Sequence, residues 1–153
     1  MLEVQQKQVQ AETVIALQHG GPYGEIGQTY QEIFKWAQAK KVRPTGAPRT
    51  VFLSPPNELD PHSGLFEVCM PVPAGTVGDA KVTVKKLPAM TVAFAVVKGP
   101  YEKISGHYSE MLAWLSAEGL EVAGPPREIY LKGPQSRVKP EEYLTEIQFP
   151  VND

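Results

Sequence analysis

Apolar positions fall into two repeating patterns along the chain. Val14 to Gln18 and Thr91 to Val97 are short runs of apolar and β-branched residues, which read as strands. Ahead of them, LEVQQKQV and AKVTVKKL alternate apolar with polar residues, and each predicts a further strand. A Gly-Pro pair follows each strand, and proline suits the opening turn of a helix, where its missing N–H costs nothing. Glu25 and Glu102 fall in that first turn, where a carboxylate suits the helix dipole. Ile26, Tyr30, Ile33 and Phe34 then form a helical stripe, repeated by Ile104, Tyr108, Met111, Leu112 and Leu115. The first helix should stop before Pro44 and the second at Gly119. TVFL from Thr50 and EIYL from Glu128 read as strands, and FEVCMPV from Phe66 and TEIQFPV from Thr145 as closing strands.

The doubling keeps register. Tyr23 and Tyr101, Tyr30 and Tyr108, Trp36 and Trp114, Arg49 and Arg127, and Pro56 and Pro134 are all 78 residues apart. Glu67 and Glu146, and Pro71 and Pro150, are 79 apart, so one residue is inserted late in the second copy. The expectation is one α+β domain over 1–153, built of two β-β-α-β-β modules at 1–73 and 79–153. The modules should be related by a pseudo-twofold, with antiparallel sheet and a central ligand groove. PVPAGTVGDA joins the copies, while SPPNELDPHSG and KGPQSRVKPEE are turn-rich loops within them.

Alternation along each strand assigns faces. Thr145, Ile147, Phe149 and Val151 share one side, and Leu144, Glu146 and Gln148 the other. In the first copy Phe66, Val68 and Met70 oppose Leu65, Glu67 and Cys69. The more apolar sides should lie under the helices, leaving Glu67 and Glu146 on the helix-free face. Phe52 and Tyr130, opposite Val51, Leu53, Ile129 and Leu131, are expected to join them and line a small-molecule site of aromatic walls and few charges.

Composition narrows the function. With 42% hydrophobic and 21% charged residues the 153-residue chain has an ordinary globular balance, and its net charge of −2 gives no nucleic-acid or anionic-membrane surface. Cys69 is the one cysteine, so no internal disulfide or cysteine metal cluster is expected. MLEVQQKQVQ lacks the basic-then-apolar pattern of a signal peptide, and a cytoplasmic location is the default expectation. His19, His62 and His107 lack metal-ligand spacing, and no metal or cofactor is expected.

The segments VIALQHGGPYGEIGQTYQEIFKWA and VKGPYEKISGHYSEMLAWL, the strand GPPREIYL and the closing TEIQFPV resemble the gyrase-inhibitor-like effector-binding domain. The resemblance covers nearly the whole chain. It implies two strand-helix-strand-strand modules around a groove for bulky, often aromatic and cationic molecules, with a ligand-facing glutamate on the final strand, here Glu146. On the residues alone Glu146 reads as a solvated strand carboxylate; the resemblance turns it toward a ligand. Its physical sense is that a buried carboxylate lacking a partner is costly, and a cation among rings relieves that cost. Gln148 shares the face of Glu146. Trp114, Tyr108, Tyr130 and Phe52 are the ring candidates; Glu67 holds the equivalent place in the first copy, with the solvated reading ahead. Core packing is the leading reading for Trp36 and Trp114, and for Tyr30 and Tyr108 with their hydroxyls at the rim. Cys69 reads as a small buried residue.

Three functions follow in order. The first is a binding protein for hydrophobic or cationic small molecules, with no helix-turn-helix segment in this sequence. The second is a hydrolase of strained electrophiles, as the resemblance allows, with Glu146 as base and Tyr108 or Tyr130 as donor. The third is an inhibitor of a gyrase-type protein. The chain could act as a monomer or a homodimer, since outer strands such as LEVQQKQV can pair between chains.

Overall fold

The computed structural model describes residues 2–54 and 64–152. The loop beginning after Ser54, with Pro56 and His62, lies outside the described residues. The chain runs β1 (Gln5–Val9), β2 (Glu12–Gly20), α1 (Ile26–Ala39), β3 (Arg49–Ser54), β4 (Leu65–Pro71), β5 (Thr83–Leu87), β6 (Met90–Lys98), α2 (Ser105–Ala117), β7 (Glu121–Val122), β8 (Arg127–Lys132) and β9 (Leu144–Asn152). Every strand and helix read from the pattern is present; the two-residue β7 gave no periodic signal.

Both helices start later than the Gly-Pro breaker suggested. A 3-10 turn comes first, over Tyr23–Glu25 and Tyr101–Lys103, so Glu25 is the N-cap residue of α1 and Glu102 lies ahead of α2. The glycines of the two breakers, Gly21 and Gly99, have φ of 152° and 128°. This conformation suits glycine because it lacks a Cβ. Gly119, at φ 70°, closes α2 in the left-handed conformation usual after a helix C-terminus.

The chain divides into two compact units, Ala11–Pro88 and Met1–Gln10 with Ala89–Asp153. In the Ala11–Pro88 unit, β2 pairs antiparallel with both β4 and β5, and β3 pairs with β4. In the other, β6 pairs antiparallel with β1 and β9, and β9 also pairs with β8 and β7. The leading strand of each sequence half is therefore a member of the unit built mainly from the other half. An antiparallel partner needs only a complementary edge, so adjacency along the chain does not decide membership.

Each unit buries a helix stripe against one sheet face. Ile33, Trp36 and Ala37 pack with Ile15, Phe66, Val68, Met70, Val72 and Val82. Ile104, Met111 and Leu115 pack with Ala93, Ala95, Val97, Ile147, Phe149 and Val151. Fully burying side chains of this kind stabilises by about 1.5–3 kcal/mol each. The predicted faces of β4 and β9 agree with these clusters. Those of β3 and β8 do not: Phe52 lies opposite Phe66, and Tyr130 opposite Thr145, so both point to the helix-packed face. Val51 and Ile129, opposite Glu67 and Glu146, take the other face. Cross-strand register, which alternation inside one strand does not contain, decides the matter.

Candidate functional site

Among the described residues three buried glutamates occupy two kinds of environment. Two carry basic partners. Glu146 is 7% exposed; its Oε2 accepts from Lys7 Nζ at 2.7 Å and from Gln148 Nε2 at 2.6 Å. Glu67 is 4% exposed and is paired with Lys85. It also accepts from Gln18 Nε2 at 3.3 Å and from the Cys69 thiol at 3.8 Å. Lys7 and Lys85 are themselves 78 residues apart, so the repeat supplies each glutamate with its counter-ion. Burial, followed by the Glu67 charge, pushes the Cys69 thiol up to about 12, which removes it as a nucleophile.

Glu128, on β8, is different. It is 8% exposed, and among the described residues no basic side chain pairs with it. Its partners are two phenols: Tyr108 OH donates to Oε2 at 2.6 Å and Tyr130 OH to Oε1 at 3.2 Å. Burial raises its pKa, and the two hydrogen bonds pull in the opposite direction. Local geometry explains the grouping. Glu128 and Tyr130 are two apart on one strand and share a face, while α2 carries Tyr108 over that face. Further rings extend the cluster. Tyr101 lies 5.4 Å from Tyr130 and 5.1 Å from Tyr143 between centroids, and Tyr108 meets Phe149 edge-on at 5.6 Å. Tyr101 is 39% exposed, so the cluster reaches solvent.

This corrects the expected constellation. Tyr108 and Tyr130 stand beside Glu128 on the helix-packed face, and Glu146 and Gln148 lie on the opposite face of β9 with Lys7. Phe52 packs against the α1 core. Trp114 is half-buried against the α2 core, and Trp36 is buried with its Nε1 donating to Asp79 Oδ2 at 2.9 Å. Sequence reasoning passed over Glu128, although one signal was readable: a carboxylate amid the apolar residues of β8, where the first copy has Thr50, 78 residues earlier.

His19 meets Glu25 at 2.8 Å and His107 meets Glu110 at 3.1 Å, both as partly exposed pairs. Among the described residues no group of three His, Cys, Asp or Glu side chains could hold a metal ion. No described helix is long and apolar enough to cross a membrane. A hollow of about 520 Å³ beside the end of α1 is lined by Lys40, Lys41, Arg43, Pro73 and Val77, among others, and by none of the expected site residues.

Residues 2–152 match the model of the GyrI-like small molecule binding domain. A comparison with curated proteins gives no match. Among solved structures, the EcmrR C-terminal domain is 22% identical with a TM-score of 0.89, covering 100% of this chain and 99% of that one. EcmrR in its DNA complex is 20% identical at a TM-score of 0.89; the match covers 99% of this chain but spans only 58% of that one. A hydrolase encoded by lin2189 from Listeria innocua is 14% identical, with a TM-score of 0.70, covering 98% of this chain and 92% of that one. SAV2435 bound to tetraphenylphosphonium is 18% identical, with a TM-score of 0.64, covering 98% and 94%. At these identities the likeness establishes an α+β fold shared with the EcmrR C-terminal domain.

Proposed function

The chain belongs to the GyrI-like small-molecule-binding family, and from that premise we propose that it binds bulky aromatic cations at Glu128. One observation carries the reading: a buried carboxylate held by two phenol hydroxyls, with rings around it and no basic partner among the described residues. Such a group is poorly solvated when ionised, and a delocalised organic cation compensates it without itself needing a dense hydrogen-bond shell. Ring faces of Tyr101, Tyr130 and Tyr143 add cation–π attraction of about 0.5–2 kcal/mol each where they meet the ligand. Glu146 and Glu67 already have lysines, so an incoming cation gains less from them. A relative of the same fold was solved with tetraphenylphosphonium, an aromatic cation, which makes that ion the natural probe.

The test is calorimetric titration of the wild type and Glu128→Gln with tetraphenylphosphonium and with neutral triphenylphosphine oxide. The reading requires the substitution to weaken the cation strongly and the neutral compound little. Equal loss for both, or no loss for either, removes Glu128 from the site.

The 2.6 Å contact between Tyr108 and Glu128 favours a second reading, hydrolysis of a strained electrophile. Glu128 would take a proton from water as the water oxygen bonds to the electrophilic carbon, and a phenol would protonate the departing atom. Mass spectrometry for a product 18 Da heavier than an epoxide or cyclopropane probe decides between them: turnover lost in Glu128→Gln supports hydrolysis, and binding without product leaves the binding reading.

A further inference from the structure

The helix-free face of β9 holds a second arrangement of carboxylate, amide and ring. Its occupant belongs to the chain. Lys7, from the middle of β1, pairs in register with Val92 and so shares a face with Phe94, Gln148 and Glu146. Its Nζ lies 2.7 Å from Glu146 Oε2 and 4.2 Å from the centroid of the Phe94 ring. Gln148 Nε2 donates to the same oxygen at 2.6 Å. The Glu146 side chain is 9% exposed and the Lys7 side chain 38%, so the acid is the buried wall and the ammonium arrives from the rim. An acid beside an aromatic face is the usual way proteins recognise an organic ammonium ion.

The other unit shows what a plain counter-ion looks like. Lys85 meets Glu67 there, but the position corresponding to Phe94 is Ala16, which supplies no ring to that ammonium. The ring at Lys7 is an addition beyond charge balance. No residue of β1 is fully buried. The strand is held by its ladder to β6, by the packing of Leu2 and Val4 beside it, and by the ion pair of Lys7 with Glu146.

We propose that Glu146, Gln148 and Phe94 form a primary-ammonium site, and that Lys7 fills it from within. While Lys7 is in place the site is closed to external amines; once vacated it accepts a primary alkylammonium ion of the length of the missing side chain. The inference is independent of the Glu128 reading, because it concerns the opposite face of β9 and a different class of cation.

The experiment is chemical rescue. Lys7→Ala removes three methylenes and the ammonium, the atoms of propylammonium. The Tm of Lys7→Ala should fall by about 5 °C, since Glu146 is left buried beside an empty place. Millimolar propylammonium should recover most of that loss and shift the Phe94 ring resonances. Propanol should do neither, and the wild type and the double variant Lys7→Ala/Glu146→Gln should not respond. If Lys7→Ala does not fold alone, refolding in propylammonium is the same test, with Lys7→Met, which refills the space without charge, as the control that should fold unaided. Absence of recovery, or equal recovery with propanol, in the wild type or in the double variant, overturns the proposal.

Discussion

Glu128→Gln should make the free protein more stable and the binding protein worse. The side chain keeps its size, and its amide oxygen can still accept from a phenol, so packing around Tyr108 and Tyr130 is retained. What disappears is the buried charge. Burial raises the pKa of Glu128 in the folded state, so between its unfolded value of 4.5 and that raised value the folded protein holds the extra proton. Stability therefore falls as pH rises through this window, and the deficit persists above it. Glutamine removes the deficit, so the Tm difference between variant and wild type should grow from near zero below pH 4.5 to a plateau at higher pH. For binding, a cation centred about 6 Å from the carboxylate, at an effective dielectric constant of about 20, gains about 3 kcal/mol. Losing it weakens the cation by about 100-fold. In the wild type cation affinity should rise with pH through the same window and binding should release a proton; in the variant both effects should vanish. Thermal denaturation from pH 4 to 8, with calorimetry in buffers of different ionisation enthalpy, reads all of this. A variant less stable than the wild type at neutral pH, or proton release that survives the substitution, would refute the claim that Glu128 is a buried acid awaiting a cation.

Other consequences are simpler to measure. Tyr108→Phe removes a hydrogen bond that favours ionised Glu128, so it should weaken cation binding at neutral pH by about tenfold and move the pH dependence upward. Lys85→Met leaves Glu67 buried without its counter-ion and should cost about 1–3 kcal/mol in urea unfolding, discounted because the Lys85 side chain is 38% exposed; adding Glu67→Gln should recover most of it. The Trp36 hydrogen bond, with backbone bonds from Val82 and Lys81, lowers the Asp79 pKa to about 2. Asp79→Asn should therefore destabilise at pH 7, with the effect shrinking as the pH falls from 3.8 through about 2, where the wild-type carboxylate is also lost. Cys69 is buried and its pKa is about 12, so native protein at pH 8 should react with a thiol reagent only through opening of the fold.

The sequence carried the strands, the helices and the faces of β4 and β9, because each rests on local periodicity. Ile147, Phe149 and Val151 announce a buried side by spacing alone, and the 78-residue register gave each element a second reading. Phe52 and Tyr130 were misplaced because Val51 and Leu53, or Ile129 and Leu131, look like the more apolar side of their strands, while the ladder to β4 and β9 turns those residues away from the helices. Glu146 attracted attention as the distinctive acid of the closing strand, but its meaning depended on Lys7, about 140 residues away in sequence. Glu128 escaped for a related reason. Its significance lies in the lack of a basic partner among the described residues and in a phenol from α2, and neither is a property of the residues beside it in the chain.

Carboxyl-carbon NMR on protein labelled at glutamate Cδ, titrated with pH in the absence and presence of tetraphenylphosphonium, measures the central claim at the atom concerned. The account predicts that the Glu128 resonance titrates above the ordinary glutamate range in the free protein and that the ligand brings it down, while the Glu146 and Glu67 resonances hold their positions when the ligand is added. A ligand-induced change at Glu146 with Glu128 untouched would contradict it.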